Sequence, residues 1–243
     1  MLVRPAARFE VFMLRRSEAS HFVPDAYVFP GGTLSESDLS ERALARMHVD
    51  PEAVQQQFRA RPAPGLSPVP LASMREAEGL LFAALRELYE EAGVLLARDA
   101  TGAAAPAVAS ELRSDFLELL ERRGLYADAN ALVFFSQWLT PPQFSKRYNT
   151  HFFLARASAD AVAAADMHET HDGLWIAPAD ALARSAAGEL HLVYPTIKHL
   201  QRLAKFSDCE QLFEFARSKP VLAITPNTAD DGFALPAELE DAW

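Results

Sequence analysis

Three carboxylates lie close together in residues 86–94, whose sequence is Arg-Glu-Leu-Tyr-Glu-Glu-Ala-Gly-Val. Glu90 follows Glu87 by three residues and Glu91 follows it by four, so in a helix the three side chains occupy neighbouring parts of one face. Their repulsion weakens a bare helix, whereas a bound divalent cation makes the same clustering favourable. Hard cations such as Mg2+ take oxygen ligands and commonly combine carboxylates with substrate phosphates. The segment therefore predicts a metal platform for phosphate chemistry.

A long helix from about Arg75 to Ala92 is predicted to carry these carboxylates. Apolar residues recur along it at helical spacing, namely Leu80, Leu81, Ala84, Leu85 and Leu88. Gly93 stands where a left-handed residue commonly ends a helix. Strands are expected before it over 8–16 and 27–29, and the turn Pro30-Gly31-Gly32 stops the second one because proline cannot continue a central ladder.

The rest of the chain intermixes predicted strands and helices, which favours a mixed sheet with helices on its faces. Before the long helix, helices are expected over 37–47 and from Asp50 onward, followed by a proline-rich loop over 61–70. The other expected helices are 111–122, 180–187, 195–205 and 208–217, and the other expected strands are 131–138, 150–157 and 173–176. The tail from Pro220 is expected to be partly extended.

The spacing of the charged residues resembles the Nudix box. That pattern is a glycine, five residues, Glu, seven residues, and then Arg-Glu-aliphatic-x-Glu-Glu-x-Gly-aliphatic. Seven residues separate Glu78 from Arg86, as the pattern requires, but the position six before Glu78 is Ala72 instead of glycine. The Pro-Gly turn that normally accompanies the box glycine occurs far earlier, at residues 30–32. The resemblance therefore implies a box that is split by an insertion of residues 33–72, with Gly32 as its first glycine.

The same resemblance implies the fold and the domain organisation. We expect an α/β protein with the Nudix α/β/α sandwich, built on a mixed sheet as a single domain over residues 1–243. A helical insertion at about 33–72 would interrupt the box, and a C-terminal helical extension would cover about 195–243. The insertion could form a substrate-facing cap, which is the favoured interpretation, or a homodimer surface, or it could pack aside.

The resemblance also implies a reaction, the hydrolysis of the diphosphate linkage of a nucleoside diphosphate joined to another group. Glu87, Glu90 and Glu91 would bind one or more Mg2+ or Mn2+ ions, and Arg86 would orient them through charge-assisted hydrogen bonds. Glu78 would brace the loop before the helix and could complete the metal site. Gly31, Gly32 and Gly93 would shape the loop and the helix end.

The carboxylate that takes the proton from water is left open. Family members differ on this point, and a box glutamate, Glu87 or Glu91, is one candidate. A residue on a distant loop is the other, and Glu169 is the better distal candidate, ahead of His168, because the loop of residues 167–172 precedes a predicted strand. An ordinary solvated polar loop explains those residues equally well.

Residues 12–32 carry a second resemblance. Nudix hydrolases that act on coenzyme A have a motif before the box that runs Leu-Leu-Thr-x-Arg-Ser, three residues, Arg, three residues, Gly, three residues, Phe-Pro-Gly-Gly. Arg16 and Ser17 fall on its Arg-Ser, whereas its later arginine becomes His21 and its glycine becomes Asp25. The half match implies Arg16 and Ser17 as substrate contacts.

Residues 138–155 resemble the branch of the family that contains the mammalian peroxisomal acyl-CoA diphosphatases, whose box is also interrupted. Here Lys146 and Arg147 are implied as phosphate contacts, although a solvated strand edge is an equally good interpretation. CoA or acyl-CoA is therefore the favoured substrate, with 3′,5′-ADP and a 4′-phosphopantetheine as products. Nucleotide sugars, NADH and dinucleoside polyphosphates are alternatives. A catalytically silent binding protein is the alternative outside enzymes, and it is disfavoured because all the box glutamates are present.

Composition narrows the class of partner. A net charge of −10 argues against a general nucleic-acid binder, which would present a basic surface, but it allows a small anionic substrate. No apolar run approaches the roughly 20 residues that a membrane-spanning helix needs. The single cysteine, Cys209, excludes an intrachain disulfide. We therefore expect a cytoplasmic protein that acts on a small molecule.

Overall fold

A computed structural model of the chain describes residues 1–17, 23–58, 73–105, 115–159, 161, 163, 170–229, 232–239 and 243. Its helices are α1 (Glu41–Leu44), α2 (Pro51–Gln57), α3 (Met74–Ala92), α4 (Phe116–Arg123), α5 (Pro178–Ala186), α6 (Tyr194–Leu203) and α7 (Cys209–Ser218). Its strands are β1 (Leu2–Arg4), β2 (Glu10–Arg16), β3 (Tyr27–Val28), β4 (Met47–His48), β5 (Ala97–Arg98), β6 (Tyr126–Asp128), β7 (Leu132–Leu139), β8 (Asn149–Arg156), β9 (Thr170–Ile176), β10 (Ala223–Ile224), β11 (Asn227–Ala229) and β12 (Gly232–Ala234). Short 3-10 turns occur at Ser37–Leu39, Ala129–Ala131 and Ala237–Leu239.

The central sheet is mixed and has seven strands. Six follow the order β10-β7-β8-β1-β2-β3, and β9 pairs with β2. β1 runs parallel to β8 and antiparallel to β2. β2 therefore ends on the side of the sheet where β8 begins, and the loops that follow β2 and precede β8 share that side.

Alternating side chains of the sheet face two separate cores. In β2, Phe12 and Leu14 belong to one core, whereas Val11 and Met13 belong to the other, as expected from the two-residue period of a strand. The first core is closed by α3 and α4 and the second by α5, α6 and α7. The α/β/α sandwich with a mixed sheet is therefore confirmed.

The long helix is present as α3, and its ends are fixed by local chemistry. The Ser73 side chain accepts a hydrogen bond from the Glu76 amide at the N-terminus. Gly93 has a φ of 68° and ends the helix in the left-handed conformation, as predicted. The predicted apolar face is present: Leu81, Leu85 and Leu88 are buried, and Leu80 and Ala84 are half-buried and pack against the first core. The residues of α3 that are buried are Ala77, Gly79, Leu81, Phe82, Ala83, Leu85, Leu88, Tyr89 and Ala92.

The helix predicted over 37–47 is wrong. The chain forms a 3-10 turn at Ser37–Leu39, then α1, and then β4. Ser40 separates the two turns because its backbone is extended and its side chain caps α1 by accepting a hydrogen bond from the Ala43 amide. β4 joins β6 and β5 in a small second sheet that the sequence pattern did not indicate. The predicted loop over 61–70 lies outside the described residues.

The other predicted elements agree with the structure to within a few residues. α2 begins with Asp50 as its N-cap and Pro51 as its first residue, as predicted. The helix expected from residue 111 is observed from Phe116, and residues 106–114 lie outside the described part. β1 and β10 were missed because strands of three and two residues carry almost no periodicity. Within the described residues, no helix is long and apolar enough to cross a membrane.

Candidate active site

The turn at residues 30–32 contacts the C-terminal end of α3. The Gly31 amide donates a hydrogen bond of 2.7 Å to Glu91 Oε2. A Cβ atom on residue 32 would lie 2.3 Å from Glu87 Oε1, so glycine lets the backbone pass this close without displacing that carboxylate. The two segments that the sequence pattern joined across the insertion are therefore in direct contact.

Arg86 is the centre of the hydrogen-bond network beside this turn. Its Nη1 donates to Glu87 Oε1 at 2.7 Å and to Glu90 Oε2 at 2.9 Å. Its Nε and Nη2 donate to Asp38 Oδ1 at 2.8 Å and Oδ2 at 3.0 Å, and Nη2 also donates to the Thr33 carbonyl at 3.2 Å. A guanidinium has five N–H groups, and all five are engaged here. Of the contacts expected between Arg86 and the three box glutamates, those with Glu87 and Glu90 are present, and Glu91 accepts a hydrogen bond from the Gly31 amide.

Asp38 is the member of this network that the sequence reasoning missed. It belongs to the insertion and is only 1% exposed. Besides its two contacts with Arg86, it accepts hydrogen bonds from the Ser35 amide at 2.8 Å and from the Ser35 hydroxyl at 2.7 Å, both on Oδ2. The sequence pattern placed Asp38 only within an expected helix over 37–47, because no local pattern links it to a residue 48 positions away.

Burial and ion pairing act in opposite directions on the pKa values of this network. Burial raises the pKa of Glu87 and of Glu90, and Arg86 only partly opposes it. Burial also favours a higher pKa for Asp38, but the hydrogen bonds from Arg86 and Ser35 outweigh it and hold the pKa below its usual value. For Arg86, burial is outweighed by Asp38 and Glu87, which raise its pKa far above the usual range. Arg86 therefore stays charged at any working pH.

The donors at this end of α3 suit a hard divalent cation in chemistry and in charge. Glu87, Glu90 and Glu91 offer only carboxylate oxygens, the ligand type that Mg2+ and Mn2+ prefer. Together with Asp38 they bring four carboxylates to Arg86 and the neighbouring Gly31 amide. In the part of the chain that the structure describes, no three His, Cys, Asp or Glu side chains converge into a ready cage. Glu87 and Glu90 are instead turned toward Arg86, and Glu91 toward the Gly31 amide.

Glu78 stands apart from this network. It lies on α3, half-buried, and its side chain forms no hydrogen bond or ion pair with another described residue. The next residue, Gly79, is in close contact with the insertion, because a Cβ atom there would lie 2.4 Å from Leu39 Cδ2. The expectation that Glu78 braces the loop or completes the metal site stays a prediction.

Arg16 and Ser17 lie at the end of β2, on the side of the sheet where β8 begins. Both are half-buried, and Arg16 pairs in register with Thr170 of β9. Asp25, which replaces the motif's glycine, has a φ of 63°, the left-handed conformation that glycine adopts most easily and aspartate tolerates. The Asp25 side chain accepts a hydrogen bond of 2.6 Å from Arg15 Nε. Residue 25 therefore holds an aspartate in a conformation that glycine, the motif's residue at this position, adopts with less strain.

Lys146 and Arg147 lie in the loop between β7 and β8, on the same side of the sheet as Arg16. Both are exposed. The Lys146 ammonium sits 5.4 Å from the centre of the Tyr148 ring, and Arg147 Nε donates to the Thr140 carbonyl at 3.2 Å. Their contact with phosphate stays a prediction. Glu169 and His168, the distal candidates for the base, lie outside the described residues.

Comparison with known proteins assigns the family. Residues 2–203 match the family model of the NUDT19 Nudix domain. The chain is 32% identical to the acyl-coenzyme A diphosphatase NUDT19 of Gallus gallus, over 93% of this chain and 70% of that protein. It is 29% identical to the protein of the same name from Homo sapiens, over 87% of this chain and 64% of that one.

A solved structure agrees with this assignment. The crystal structure of a NUDIX hydrolase from Alicyclobacillus acidocaldarius superposes with a TM-score of 0.65 at 29% sequence identity. The match covers 91% of this chain and 95% of the other. The split box, its contact across the insertion and these matches lead to one conclusion: the chain belongs to the Nudix hydrolase family and carries a Nudix domain of the NUDT19 type.

Proposed function

We propose that this Nudix hydrolase is a divalent-metal-dependent diphosphatase that cleaves CoA or acyl-CoA into 3′,5′-ADP and a 4′-phosphopantetheine. The observation that carries the hydrolytic part is the convergence of Glu87, Glu90 and Glu91 on Arg86 and the Gly31 amide at the end of α3. The substrate part is supported by the acyl-CoA diphosphatase relatives and by the loop after β2. In that loop Arg16 and Ser17 match the CoA motif, and Asp25, at the motif's glycine position, has a left-handed backbone conformation.

In this proposal the three box glutamates would hold Mg2+ or Mn2+, which supplies positive charge to the diphosphate oxygens and lowers the pKa of water when bound. Arg86 fixes the carboxylate oxygens of Glu87 and Glu90 through Nη1, so they do not have to be ordered during the reaction. Gly32 leaves room for the Glu87 carboxylate beside the turn.

The proposed chemistry is a single displacement. Water attacks one phosphorus of the diphosphate, and the bond from that phosphorus to the bridging oxygen breaks. The proton of the water passes to a carboxylate, for which Glu87, Glu91 and Glu169 are the candidates. Replacing each by glutamine and comparing the loss of kcat would identify it, because positioned general bases contribute about 10²- to 10⁴-fold.

A substrate panel tests the proposal. CoA, acyl-CoAs, NADH, ADP-ribose and diadenosine polyphosphates are incubated with Mg2+, with Mn2+ and with a chelator, and products are separated by chromatography. We expect metal-dependent release of 3′,5′-ADP from CoA or acyl-CoA, with the highest kcat/KM of the panel. Equal, metal-independent background with every compound would contradict an enzymatic role, and a clear preference for another compound would contradict the CoA assignment.

Arg16 offers a sharper test of substrate binding. If its guanidinium contacts a substrate phosphate, Arg16→Gln raises the KM for CoA by on the order of tenfold with little change in kcat, because an interaction equal in ground and transition states affects only binding. Arg8→Gln is the matched control, since Arg8 is exposed and precedes β2 at the opposite side of the sheet. Equal KM values for the two variants would remove Arg16 from the binding site.

A further inference from the structure

The start of the insertion is docked along one face of α3. Arg75, Gly79 and Arg86 recur at spacings that place them on a single face of the helix. Arg75 Nη2 donates to the Leu39 carbonyl at 2.7 Å. The Leu39 side chain fills the space that a Cβ atom at Gly79 would occupy. The 3-10 turn at Ser37–Leu39 is therefore held against α3 at three successive points, and Arg86 is the one nearest the box glutamates.

At Arg86, the third of these contacts with α3, the carboxylate of Asp38 determines the orientation of the guanidinium. The two oxygens of Asp38 take the Nε–Nη2 edge of the guanidinium in a paired, bidentate contact. Because the guanidinium is planar and rigid, this contact directs Nη1 toward Glu87 and Glu90. Asp38 is itself held by the amide and the hydroxyl of Ser35.

We propose that Asp38 is a positioning residue for the split Nudix box: by holding one edge of Arg86, it keeps the carboxylates of Glu87 and Glu90 oriented for a divalent cation. The insertion then supplies part of the metal-site architecture from within the interrupted motif. This inference rests on the proposed function, since it assigns Asp38 a role toward the same glutamates. It adds a residue that the box pattern does not contain.

Asp38→Asn is the test variant because it keeps the size of the side chain. An asparagine can accept from one edge atom of Arg86 but places an N–H group against the other, so the bidentate contact is lost. Arg75→Ala is the matched control. It removes another contact between the insertion and α3, at an exposed site away from the glutamates. A role limited to docking the insertion would affect both variants alike.

The first readout is the binding of Mn2+ alone, measured on each folded variant by electron paramagnetic resonance. We expect Asp38→Asn to weaken Mn2+ binding by about tenfold to a hundredfold, as losses of partners behind metal ligands usually do. Arg75→Ala should stay within about twofold of the unmodified protein, as expected of an exposed contact. The same Mn2+ affinity in the unmodified protein and in Asp38→Asn would overturn the inference.

The second readout separates the action through Arg86 from general destabilisation. In an Arg86→Lys background the bidentate contact is already absent, so adding Asp38→Asn should change Mn2+ affinity much less than it does alone. If Asp38→Asn lowers Mn2+ affinity by the same factor in both backgrounds, the inference is overturned.

If Asp38→Asn fails to fold, Ser35→Ala takes its place. It removes one of the hydrogen bonds that hold Asp38, and it must then weaken Mn2+ binding more than Arg75→Ala does.

Hydrolysis measured in parallel distinguishes this inference from the proposed function. Weakened Mn2+ binding in Asp38→Asn, together with no hydrolysis of any compound by the unmodified protein, would support the role of Asp38 and reject the diphosphatase. Hydrolysis by the unmodified protein, with both kcat and Mn2+ affinity preserved in Asp38→Asn, would support the diphosphatase and reject the role of Asp38. A lower kcat with little change in KM is the expected result, since Asp38 touches no substrate in this proposal.

Discussion

On the α3 side of the central sheet, Arg86 is surrounded by carboxylates that engage its N–H groups together with one carbonyl. On the α6–α7 side, the half-buried Lys219 and the buried His199 make hydrogen bonds to uncharged groups. Lys219 donates to the Phe135 carbonyl and lies 4.4 Å from the centre of that ring. His199 makes hydrogen bonds of 2.7 Å with the Ser136 hydroxyl and with the Pro195 carbonyl.

The pKa values follow this difference. Burial without a countercharge lowers the pKa of Lys219 to about 7 and that of His199 to about 3. Arg86 is also partly buried, yet its carboxylate neighbours raise its pKa. Carboxylate partners therefore keep the partly buried Arg86 charged, whereas burial without a countercharge favours the neutral forms of Lys219 and His199. Arg86 lies on the side where the proposed chemistry needs charge, and Lys219 and His199 pack against the Phe135 ring on the other side.

The largest expected effect comes from removing a carboxylate on the α3 side of the sheet, called the charged side here because Arg86 and the box glutamates lie on it. Glu91→Gln should lower kcat/KM by about 10²- to 10⁴-fold, because Glu91 is both a proposed metal ligand and a candidate base. Glu214→Gln is the control, an exposed carboxylate on α7 of the opposite side. Comparable activities in steady-state assays of the two variants would mean that the charged side is not the catalytic one.

The second effect tests the close contact between the two halves of the box. In Gly32→Ala the new Cβ atom displaces the Glu87 carboxylate, the flexible end of a side chain, so we expect activity to fall far more than stability. A displacement near 1 Å can cost about 100-fold in rate. Kinetics and thermal unfolding of the same preparation check this, and a large loss of Tm with normal kcat would contradict it.

The third effect concerns Lys219, on the α6–α7 side of the sheet, and changes only the free energy of unfolding. Lys219 binds its proton less tightly in the folded protein than in the unfolded chain, where its pKa is near 10.5. Below pH 7 both states are protonated and the cost of burying the charge is fully present. As pH rises above 7 the folded protein releases the proton first, so stability should rise. Urea unfolding should show a gain on the order of 2 kcal/mol from pH 7 to 9 that Lys219→Met lacks. Parallel pH profiles for the two proteins would show that the pKa of Lys219 is not lowered in the folded protein.

The fourth effect, also confined to stability and of similar size, comes from the Ser136–His199 pair. Ser136→Ala leaves His199 Nε2 buried without a donor, which should lower the free energy of unfolding by roughly 1–3 kcal/mol and leave kcat unchanged. Ser218→Ala is the control, because Ser218 is exposed and bonds only within its own helix. A fall in kcat for Ser136→Ala at unchanged Mn2+ affinity would show that the two sides of the sheet are coupled.

Most of the fold was accessible from the sequence where the information is local. α3, its Gly93 terminator, the Asp50 cap of α2 and the strands β7 and β8 follow from periodicity and end-capping residues within a few positions. The prediction of a helix over 37–47 was wrong for two reasons. Ser40 caps α1 instead of continuing a helix, and β4 pairs with β6, a strand that is distant in the sequence. The second sheet and β10 have no local signal for the same reason.

The sequence alone determined the residue types and spacing of the split box, and with them the family. Side chains three and four residues apart on one helix must be neighbours. The sequence alone therefore predicts the arrangement of Arg86, Glu87, Glu90 and Glu91. The tertiary structure decided what those residues meet: Gly32 against Glu87, and Asp38 against Arg86. These contacts depend on how the insertion folds back onto α3. No periodicity encodes that path, because it is set by packing, above all by the fit of Leu39 against Gly79.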